Sequence, residues 1–400
     1  MSDGTIKGPR PLSLHFSNSQ AIWDAVSKRG ASVLKDDCWH SGVKKDVSYF
    51  RRQLVDETLL RAFDTLVRTK AEARKKQFLK GINGYLHRHY ERPPSDAVAC
   101  VEIGSVQLLD FGGQGQPILM IPSLINPPYI LDLMPERSLA AHLKANGYRP
   151  LLVNWGTPGV EERTFGLSGY ITERLEPLLD FACELAQGSV PVIGYCMGGT
   201  LSVALAARKV GKISKLVLLA APWDFATKHS HAGRKFAPAM LKHLYTLPEG
   251  GTIGVDILQT FFTNVDPTLT DRKFRSYAAG KYAGAQADFF SAMEVWANNG
   301  PPLARKVAEE CLKSWYSNND TMLDRWKVAG EPVKASNIVC PVWVAAPEGD
   351  RLVPQASAFA LLKQLQYGTA YAPPSGHIGM VVGNRAKAGL WGPLCDWLED

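Results

Sequence analysis

Short apolar segments with the composition of β-strands alternate with amphipathic helical segments over most of the chain after residue 100. The strand-like segments cover residues 101–111, 117–121, 149–155, 190–195, 215–221 and 341–346. Helical patterns cover residues 135–146, 170–185, 197–209 and 356–365. Strands that alternate with helices pair side by side as a mainly parallel sheet, because each helix returns the chain to the same end of the sheet. The alternation therefore predicts an α/β fold with helices on both faces of the sheet.

Two segments lack this alternation and predict additional helical regions. We expect a helical, basic N-terminal segment at residues 1–95, and a core built from residues 96–223 and 338–400. Residues 224–337 then form a helical lid or cap inserted over the carboxyl ends of the strands, where it would cover a site. Its aromatic residues are expected to form the core of the lid rather than contact a ligand. They are Phe261, Phe262, Phe289, Phe290, Trp296, Trp315 and Trp326.

The positive charge of the chain is concentrated near its N-terminus. Between Lys44 and Arg92 there are 13 lysines and arginines against 6 acidic residues, a difference of +7 that equals the formal net charge of the whole chain. Apolar residues at intervals of three to five between positions 47 and 67 predict one amphipathic helix, with a second helical piece before Pro93. The basic face is either a solvated helix surface or a surface that attracts an anionic partner. Such a partner would be a phosphate-bearing substrate, a lipid-coated surface or an acidic subunit.

Other protein classes are disfavoured by features that the sequence lacks. No apolar run reaches the roughly 18 to 20 residues of a membrane-spanning helix, and the first residues lack a secretory signal, so a cytoplasmic protein is expected. The seven cysteines are scattered without a C-x-x-C pair, and His87 and His89 have no partners at metal-ligand spacing, so we expect no disulfide framework and no metal. No nucleic-acid recognition motif accompanies the basic charge. The glycines at 112–115 lack the spacing of a dinucleotide fingerprint.

The most informative motif is Gly194-Tyr195-Cys196-Met197-Gly198, which follows a strand-like run and precedes a helical one. It matches the G-x-S-x-G strand–turn–helix of α/β-hydrolases, with cysteine in place of serine. The nucleophile of that motif lies on a tight, strained turn, and the two glycines leave room around it. Cys196 is therefore the candidate nucleophile. The alternative interpretation is a buried cysteine in a glycine-rich turn with no catalytic role.

An acid and a base follow Cys196 in the chain order expected of this fold, which is nucleophile, acid, histidine. Asp350 comes just after the strand-like segment 341–346, and His377 comes after the last strand signal of the sequence. We predict that His377 deprotonates Cys196 or the acceptor, and that Asp350 fixes the tautomer of His377 and stabilises its cationic form. Asp224, after an earlier strand, is the alternative acid.

The same motif predicts where an oxyanion would be stabilised. The backbone N–H of Met197 is one expected donor, because it directly follows the nucleophile. The second donor is expected from the loop after the strand that ends at Ile121, at Ser123 or Leu124.

Five segments of the chain together form a recognisable set: GYCMGG at 194–199, IPSLINPPYILDL at 121–133, VNWGTP at 153–158, APWDF at 221–225 and SGHIGMVV at 375–382. This set resembles the polyhydroxyalkanoate synthase family, whose members have the α/β-hydrolase fold. The resemblance covers roughly residues 100–225 and 338–390. Two positions depart from the family pattern: Arg351 stands where the family usually has histidine, and Asn154 where it usually has aspartate.

The resemblance implies an enzyme that polymerises (R)-3-hydroxyacyl-CoA and releases CoA. Cys196 would carry the acyl group as a thioester, His377 would be the general base, and Asp350 would assist His377 or the acceptor hydroxyl. Acyl-CoA is then a substrate, and no bound cofactor is expected. The implied partners are the growing polyester chain and a second synthase subunit or a polyester-granule surface, and a homodimer is compatible with the family.

Two other functions fit the same residues. If water reaches Cys196, the site is that of a cysteine-dependent hydrolase, either a thioesterase or an intracellular polyhydroxyalkanoate depolymerase. The chain could instead be a catalytically weak subunit that binds a true synthase or a granule surface through its basic helices. The identity of the acyl product separates the first two functions, and the reactivity of Cys196 tests the third.

Overall fold

The fold, seen in a computed structural model, is described for residues 8–36, 39, 41–227, 231–264 and 266–400. The chain divides into two compact units. The sheet unit contains Glu91–Val265 and Val295–Asp400, and the helical unit contains Lys7–Tyr90 and Asp266–Glu294.

The sheet unit is built on one eight-stranded sheet with the spatial order β1-β2-β4-β3-β5-β6-β7-β8. Its strands are β1 (Val98–Ile103), β2 (Val106–Asp110), β3 (Pro117–Ile121), β4 (Arg149–Asn154), β5 (Val190–Tyr195), β6 (Ile213–Leu219), β7 (Val342–Ala345) and β8 (Gly368–Tyr371). Strands β3 to β8 are parallel to one another, and β2 is antiparallel to both β1 and β4. The prediction of a mainly parallel α/β sheet is confirmed.

Burial along the strands matches their positions in the sheet. Every residue of β3 and β5 is buried, as expected for central strands covered by helices on both faces. In the edge strand β1, the first three residues are exposed, and partly buried and exposed residues alternate only over the last three. The predicted strand at 101–111 is a hairpin, because Gly104 adopts a φ of 59° at the turn between β1 and β2.

The α-helices, in chain order, lie between the strands, after them and in the two additional segments. They are α1 (Leu12–Arg29), α2 (Lys44–Gln53), α3 (Glu57–Leu86), α4 (Leu139–Ala145), α5 (Leu167–Tyr170), α6 (Glu176–Ala186), α7 (Met197–Arg208), α8 (His231–Leu244), α9 (Val255–Thr263), α10 (Leu269–Ala278), α11 (Ala285–Asn298), α12 (Arg305–Glu310), α13 (Gln355–Phe359), α14 (Gly379–Val382) and α15 (Gly392–Glu399). Within the described residues, none of these helices has the length and hydropathy needed to span a membrane.

The expected insertion at 224–337 is not one continuous lid. Residues 266–294 belong to the helical unit, together with the N-terminal helices. The reason is aromatic packing, since Phe274 of α10 contacts the rings of Phe78 and Tyr85 on α3 at centroid distances of 6.4 and 5.6 Å. Gly81 allows this approach, because a Cβ there would lie 1.9 Å from the carbonyl oxygen of Phe274.

The basic N-terminal helix also differs from its prediction. The single helix expected from the apolar pattern at 47–67 is broken between α2 and α3. Asp56 begins the new helix by accepting hydrogen bonds from the N–H groups of Thr58 and Leu59, which is the usual role of an aspartate at a helix N-cap.

The turn between β5 and α7 is tightly packed against neighbouring backbone. Cys196 occupies this turn with a φ of 55° and a ψ of −126°. A Cβ on Gly198 would lie 2.1 Å from the carbonyl oxygen of Ile121 and 2.4 Å from that of Pro122. A Cβ on Gly194 would lie 2.5 Å from Gly199 Cα. The glycines of the motif therefore allow α7 to begin directly against the ends of β3 and β5.

We expect Gly198→Ala to lower the free energy of unfolding by about 2 kcal/mol or more, because the added methyl group meets fixed backbone oxygens and the structure must shift. Thermal and urea unfolding measure the effect. Gly188→Ala is the matched control, since the nearest atom to a Cβ there is 4.0 Å away. Equal stability of the two variants would contradict the close packing at Gly198.

Candidate active site

Cys196 lies in the wall of a largely apolar cavity of about 130 Å³ within the sheet unit. The sheet core contributes Ile125, Cys196, Met197 and Pro222, and the loop and helix after β7 contribute residues 351–354 and Ser357. The rest of the wall comes from the segment after β6, mainly from α8, α9 and the π-helical turn Cys311–Ser317. Its residues are Phe225, Gly233, Met240, Ile253, Ile257, Leu258, Phe261, Phe262, Leu303, Ala308, Cys311, Leu312, Trp315 and Tyr316. The cysteine thus faces an apolar chamber with few polar groups.

The backbone around Cys196 is held from both sides. Its N–H donates to the carbonyl oxygen of Leu219 on β6 at 2.8 Å, and its carbonyl oxygen accepts from the N–H of Gly199 at 2.9 Å. The side chain of Cys196 is partly exposed, whereas its neighbours Tyr195 and Met197 are buried. The strained turn therefore presents the thiol to the cavity while the rest of the motif is packed.

His377 and Asp350 form a buried pair. Nδ1 of His377 donates to Oδ2 of Asp350 at 2.7 Å, and their side chains are 8% and 0% exposed. The other carboxylate oxygen, Oδ1, accepts the N–H groups of Leu352 and Val353, each at 2.8 Å. Because both oxygens have defined donors, the carboxylate is fixed in one orientation toward the imidazole. The Cys196 sulfur lies close enough to His377 to act on the pKa of its imidazole.

The surroundings of His377 favour its cationic form. Burial alone lowers the pKa of its imidazole, but the Cys196 sulfur and the Asp350 carboxylate raise that pKa more strongly, to about 10. The ring of Tyr195 lies over the imidazole at a centroid distance of 5.4 Å, and the Tyr195 hydroxyl donates to the backbone oxygen of His377 at 3.3 Å. The histidine is therefore both stabilised as a cation and held in place.

The alternative acid, Asp224, has other partners. Its Oδ1 accepts from Asn319 Nδ2 at 2.9 Å and from the N–H of Ala226 at 2.8 Å. It therefore stabilises the turn after β6 and joins it to Asn319, while Asp350 is the carboxylate bonded to His377.

The residues expected to stabilise an oxyanion lie next to the cavity. Met197 is the first residue of α7 and lines the cavity, and the N–H groups of a first helical turn have no carbonyl partner within the helix. Ser123 and Leu124 are buried in the loop after β3, and Ser123 Oγ accepts the N–H of Ile125 at 3.2 Å. Of this loop, Ile125 is the residue that reaches the cavity wall. The assignment of a donor to Ser123 or Leu124 remains a prediction.

The two departures from the family pattern occupy different places. Arg351 lines the cavity beside Leu352 and Val353. Asn154 lies at the end of β4, where its Nδ2 donates to Gln107 Oε1 at 3.2 Å and its Oδ1 accepts the N–H of Gly156 at 3.3 Å. The asparagine therefore supports a turn and is not part of the cavity wall, whereas the arginine belongs to the site.

Trp315 belongs to the hydrophobic core and Phe261 packs against it, as expected, and both residues, like Phe262, also line the cavity. That these rings do not contact a ligand stays a prediction. Trp296 and Trp326 are buried as expected, and Phe290 packs in the helical unit against Tyr85 and Phe274. The cavity residues from this segment, including Cys311 and Tyr316, were not identified from the sequence. Their helical spacing is the same as that of core residues, so no local pattern separates the two groups.

Comparisons with known proteins agree with this fold. Residues 116–250 match a family model described as the alpha/beta hydrolase fold. The Rv0554 protein of Mycobacterium tuberculosis superposes with a TM-score of 0.50 at 18% identity, covering 74% of this chain and 93% of that one. The chain has the α/β-hydrolase fold.

The curated relatives are poly(3-hydroxyalkanoate) polymerase subunits. The subunit of Haloferax mediterranei is 28% identical over 297 residues, which cover 71% of this chain and 58% of the relative. That of Synechocystis is 28% identical and covers 71% and 78%, and that of Thiocystis violacea is 26% identical and covers 72% and 81%. The match thus spans less than two thirds of the Haloferax relative. The resemblance to the polyhydroxyalkanoate synthase family is confirmed.

We expect Asp350→Asn to lower the pKa of His377 by about 1 or more, because the variant removes one of the two groups that raise it. An NMR titration of the histidine ring protons measures this pKa, and the resonance missing in His377→Gln identifies the signal. Asp224→Asn is the matched control and should leave the pKa of His377 unchanged. The assignment of the acid fails if the two asparagine variants behave alike.

Proposed function

We propose that this chain is an acyltransferase of the polyhydroxyalkanoate synthase type, which polymerises (R)-3-hydroxyacyl-CoA through a thioester on Cys196 and releases CoA. The observation that carries the proposal is the position of the Cys196 thiol, in the wall of an apolar cavity and near His377, whose imidazole is hydrogen-bonded to Asp350. The similarity to the polymerase subunits supports the choice of reaction. Acyl-CoA is the substrate in this proposal, and no bound cofactor takes part.

In the first step, Cys196 takes the acyl group from CoA. His377 holds the proton of the thiol, and the sulfur attacks the thioester carbonyl carbon. The new carbon–sulfur bond forms as the bond to the CoA sulfur breaks, and the departing sulfur takes the proton from His377. The negative charge that develops on the carbonyl oxygen is stabilised by backbone N–H groups, of which that of Met197 is the first candidate.

In the second step, a hydroxyl group of another acyl unit attacks the thioester on Cys196. His377 accepts the hydroxyl proton, an ester bond forms, and the cysteine thiol is regenerated when the proton returns to sulfur. Asp350 stabilises the imidazolium in both steps. A thiol nucleophile suits these two steps, because exchange of one thioester for another keeps the acyl group activated for transfer to the hydroxyl.

The apolar cavity wall favours polymerisation over hydrolysis. Water that reached the Cys196 thioester would give a free acid, as in a thioesterase or a polyhydroxyalkanoate depolymerase. The groups that line the cavity are mainly aliphatic and aromatic, which offers few hydrogen bonds to hold a water molecule near the thioester. The hydrolase remains the second candidate, and a non-catalytic subunit is the third.

We propose that the helical unit provides the contact with a polyester-granule surface in the cytoplasm. Helix α2, the turn after it and the first half of α3 expose large apolar side chains, among them Val55 at 83%, Tyr49 at 54% and Leu59 at 52%. Basic residues lie among them, including Lys44, Lys45 and Arg52. Apolar and basic groups together suit an apolar surface that carries negative charge. A second synthase subunit is the other partner that the family resemblance implies.

Reaction of the purified protein with (R)-3-hydroxybutyryl-CoA tests the main proposal. We expect release of free CoA with formation of insoluble polyester, and we expect Cys196→Ala to abolish both CoA release and the covalent acyl-enzyme detected by intact mass spectrometry. Cys183→Ala is the control, since Cys183 lies on α6 outside the cavity wall and donates to the backbone oxygen of Lys212. CoA release with only free 3-hydroxybutyrate would make the chain a hydrolase, and an unreactive Cys196 would favour the non-catalytic subunit.

Charge reversal tests the surface contact. We expect Lys44→Glu, Lys45→Glu and Arg52→Glu together to reduce the fraction of protein that sediments with isolated polyester granules, more strongly at low than at high salt. The control carries the same charge change at three exposed lysines of the sheet unit, Lys327, Lys334 and Lys363. Equal sedimentation of both triple variants would contradict the granule contact through α2 and α3 and would leave the second subunit as the partner to test.

A further inference from the structure

The loop after β3, residues 122–127, is held at both ends by tryptophan side chains from other parts of the chain. Nε1 of Trp155, which follows β4, donates to the carbonyl oxygen of Pro122 at 3.1 Å. Nε1 of Trp296, on α11, donates to the carbonyl oxygen of Pro127 at 2.9 Å. Both tryptophans are buried. A proline offers only its carbonyl oxygen for hydrogen bonding, so each indole binds the one polar group that its end of the loop provides.

Close backbone contacts confine the same loop. A Cβ on Gly198, in α7, would lie 2.4 Å from the carbonyl oxygen of Pro122. A Cβ on Gly300, after α11, would lie 2.4 Å from the carbonyl oxygen of Ile125. The loop therefore lies directly against the backbone that follows the nucleophile and also against the residues that follow α11.

The hydrogen bond from Trp155 also sets the direction of a backbone N–H group. The peptide bond after Pro122 is trans, and in a trans peptide the carbonyl oxygen and the N–H group point in opposite directions. An indole that holds the oxygen of Pro122 therefore orients the N–H of Ser123. Ile125 is fixed in a different way, because its N–H donates to Ser123 Oγ at 3.2 Å.

Two N–H groups of this loop have no acceptor in the described part of the chain. They belong to Ser123 and Leu124, and both residues are buried. Nearly all buried backbone N–H groups in native proteins are hydrogen-bonded. The next residue, Ile125, lines the cavity together with Cys196. The carbonyl oxygen of an acyl group at Cys196, which becomes negatively charged during attack, would supply the missing acceptor.

We propose that Trp155 and Trp296 are positioning residues for acyl transfer at Cys196. They hold the loop at 122–127 so that its backbone N–H groups stay directed at the oxygen of the acyl carbonyl. The inference rests on the proposed function in one respect, that Cys196 takes an acyl group, and it applies equally to transfer to a hydroxyl and to water. Neither tryptophan is among the described residues that line the cavity, so each acts through the backbone of the loop.

The expected effect follows from the dependence of oxyanion stabilisation on position. Removal of one donor costs about 10²–10³-fold in rate, and a misplacement of about 1 Å can cost about 10²-fold. Loss of one indole N–H leaves the donors of the loop present but less firmly fixed. We therefore expect a smaller loss, of about tenfold in the rate of acylation for each tryptophan.

Two reactions of the same thiol separate positioning from a general loss of structure. Acylation by (R)-3-hydroxybutyryl-CoA, followed as single-turnover CoA release, places negative charge on a carbonyl oxygen. Alkylation by iodoacetamide, followed by mass spectrometry of the peptide that contains Cys196, displaces iodide at a saturated carbon and develops no such charge. We expect Trp155→Phe and Trp296→Phe to slow acylation at saturating thioester about tenfold, and to leave the rate of alkylation within about twofold of the wild-type value.

Trp391→Phe is the matched control. Trp391 is also buried, and its Nε1 also donates to a backbone oxygen, that of Val381 at 3.0 Å. Neither of these residues belongs to the loop or to the described cavity wall. All three phenylalanine variants should lose stability to thermal unfolding, whereas Trp391→Phe should be acylated at the wild-type rate.

Gly300→Ala tests the same loop without loss of an aromatic ring. Its methyl group meets the carbonyl oxygen of Ile125 and should displace the loop, so we expect slow acylation with normal alkylation. This variant decides the question if a tryptophan variant does not fold. Gly188→Ala is its control, because the nearest atom to a Cβ there is 4.0 Å away.

The outcomes distinguish this inference from the proposed function. Acylation and alkylation that fall together, acylation that is unchanged in the loop variants, or an equal loss of acylation in Trp391→Phe would overturn the positioning role and leave acyl transfer at Cys196 intact. A wild-type protein that releases no CoA and forms no acyl-enzyme would instead overturn the proposed function, and this inference with it.

Discussion

The start of α7 packs directly against the backbone at the end of β3, and the candidate site depends on this contact. A side chain at Gly198 would collide with the carbonyl oxygens of Ile121 and Pro122, and one at Gly194 would collide with Gly199. Because no side chain separates these segments, Cys196 is held at a φ of 55° on a turn of fixed shape. The thiol, the first N–H groups of α7 and the loop after β3 therefore meet at one end of the sheet.

The parallel sheet brings the other two candidate residues to the same end. Asp350 follows β7 and His377 follows β8, and the carboxyl ends of parallel strands share one edge of the sheet. The two backbone N–H groups at Leu352 and Val353 occupy one oxygen of the carboxylate, so the other oxygen is directed at His377. Electrostatics then complete the arrangement, since the carboxylate and the Cys196 sulfur outweigh the burial that would otherwise lower the pKa of the imidazole.

The segment between β6 and β7 surrounds the Cys196 thiol with most of the cavity wall. Four of these wall residues, Cys311, Leu312, Trp315 and Tyr316, belong to the π-helical turn Cys311–Ser317. Arg351, which departs from the family pattern, also lies in this wall. The candidate residues for the proposed acyl transfer thus follow strands of the sheet, whereas most of the cavity wall around Cys196 comes from the segment inserted between β6 and β7.

The sequence by itself determined the mainly parallel sheet and singled out Cys196, Asp350 and His377 as candidates, because strand periodicity, the glycine motif and chain order can be read along the chain. It left Asp224 as an alternative acid, and only the structure pairs Asp350 with His377 and Asp224 with Asn319. The cavity wall and the grouping of residues 266–294 with the N-terminal helices also needed the tertiary structure. The physical reason is that helical spacing shows which face of a helix is apolar, but not whether that face meets another helix or an open cavity.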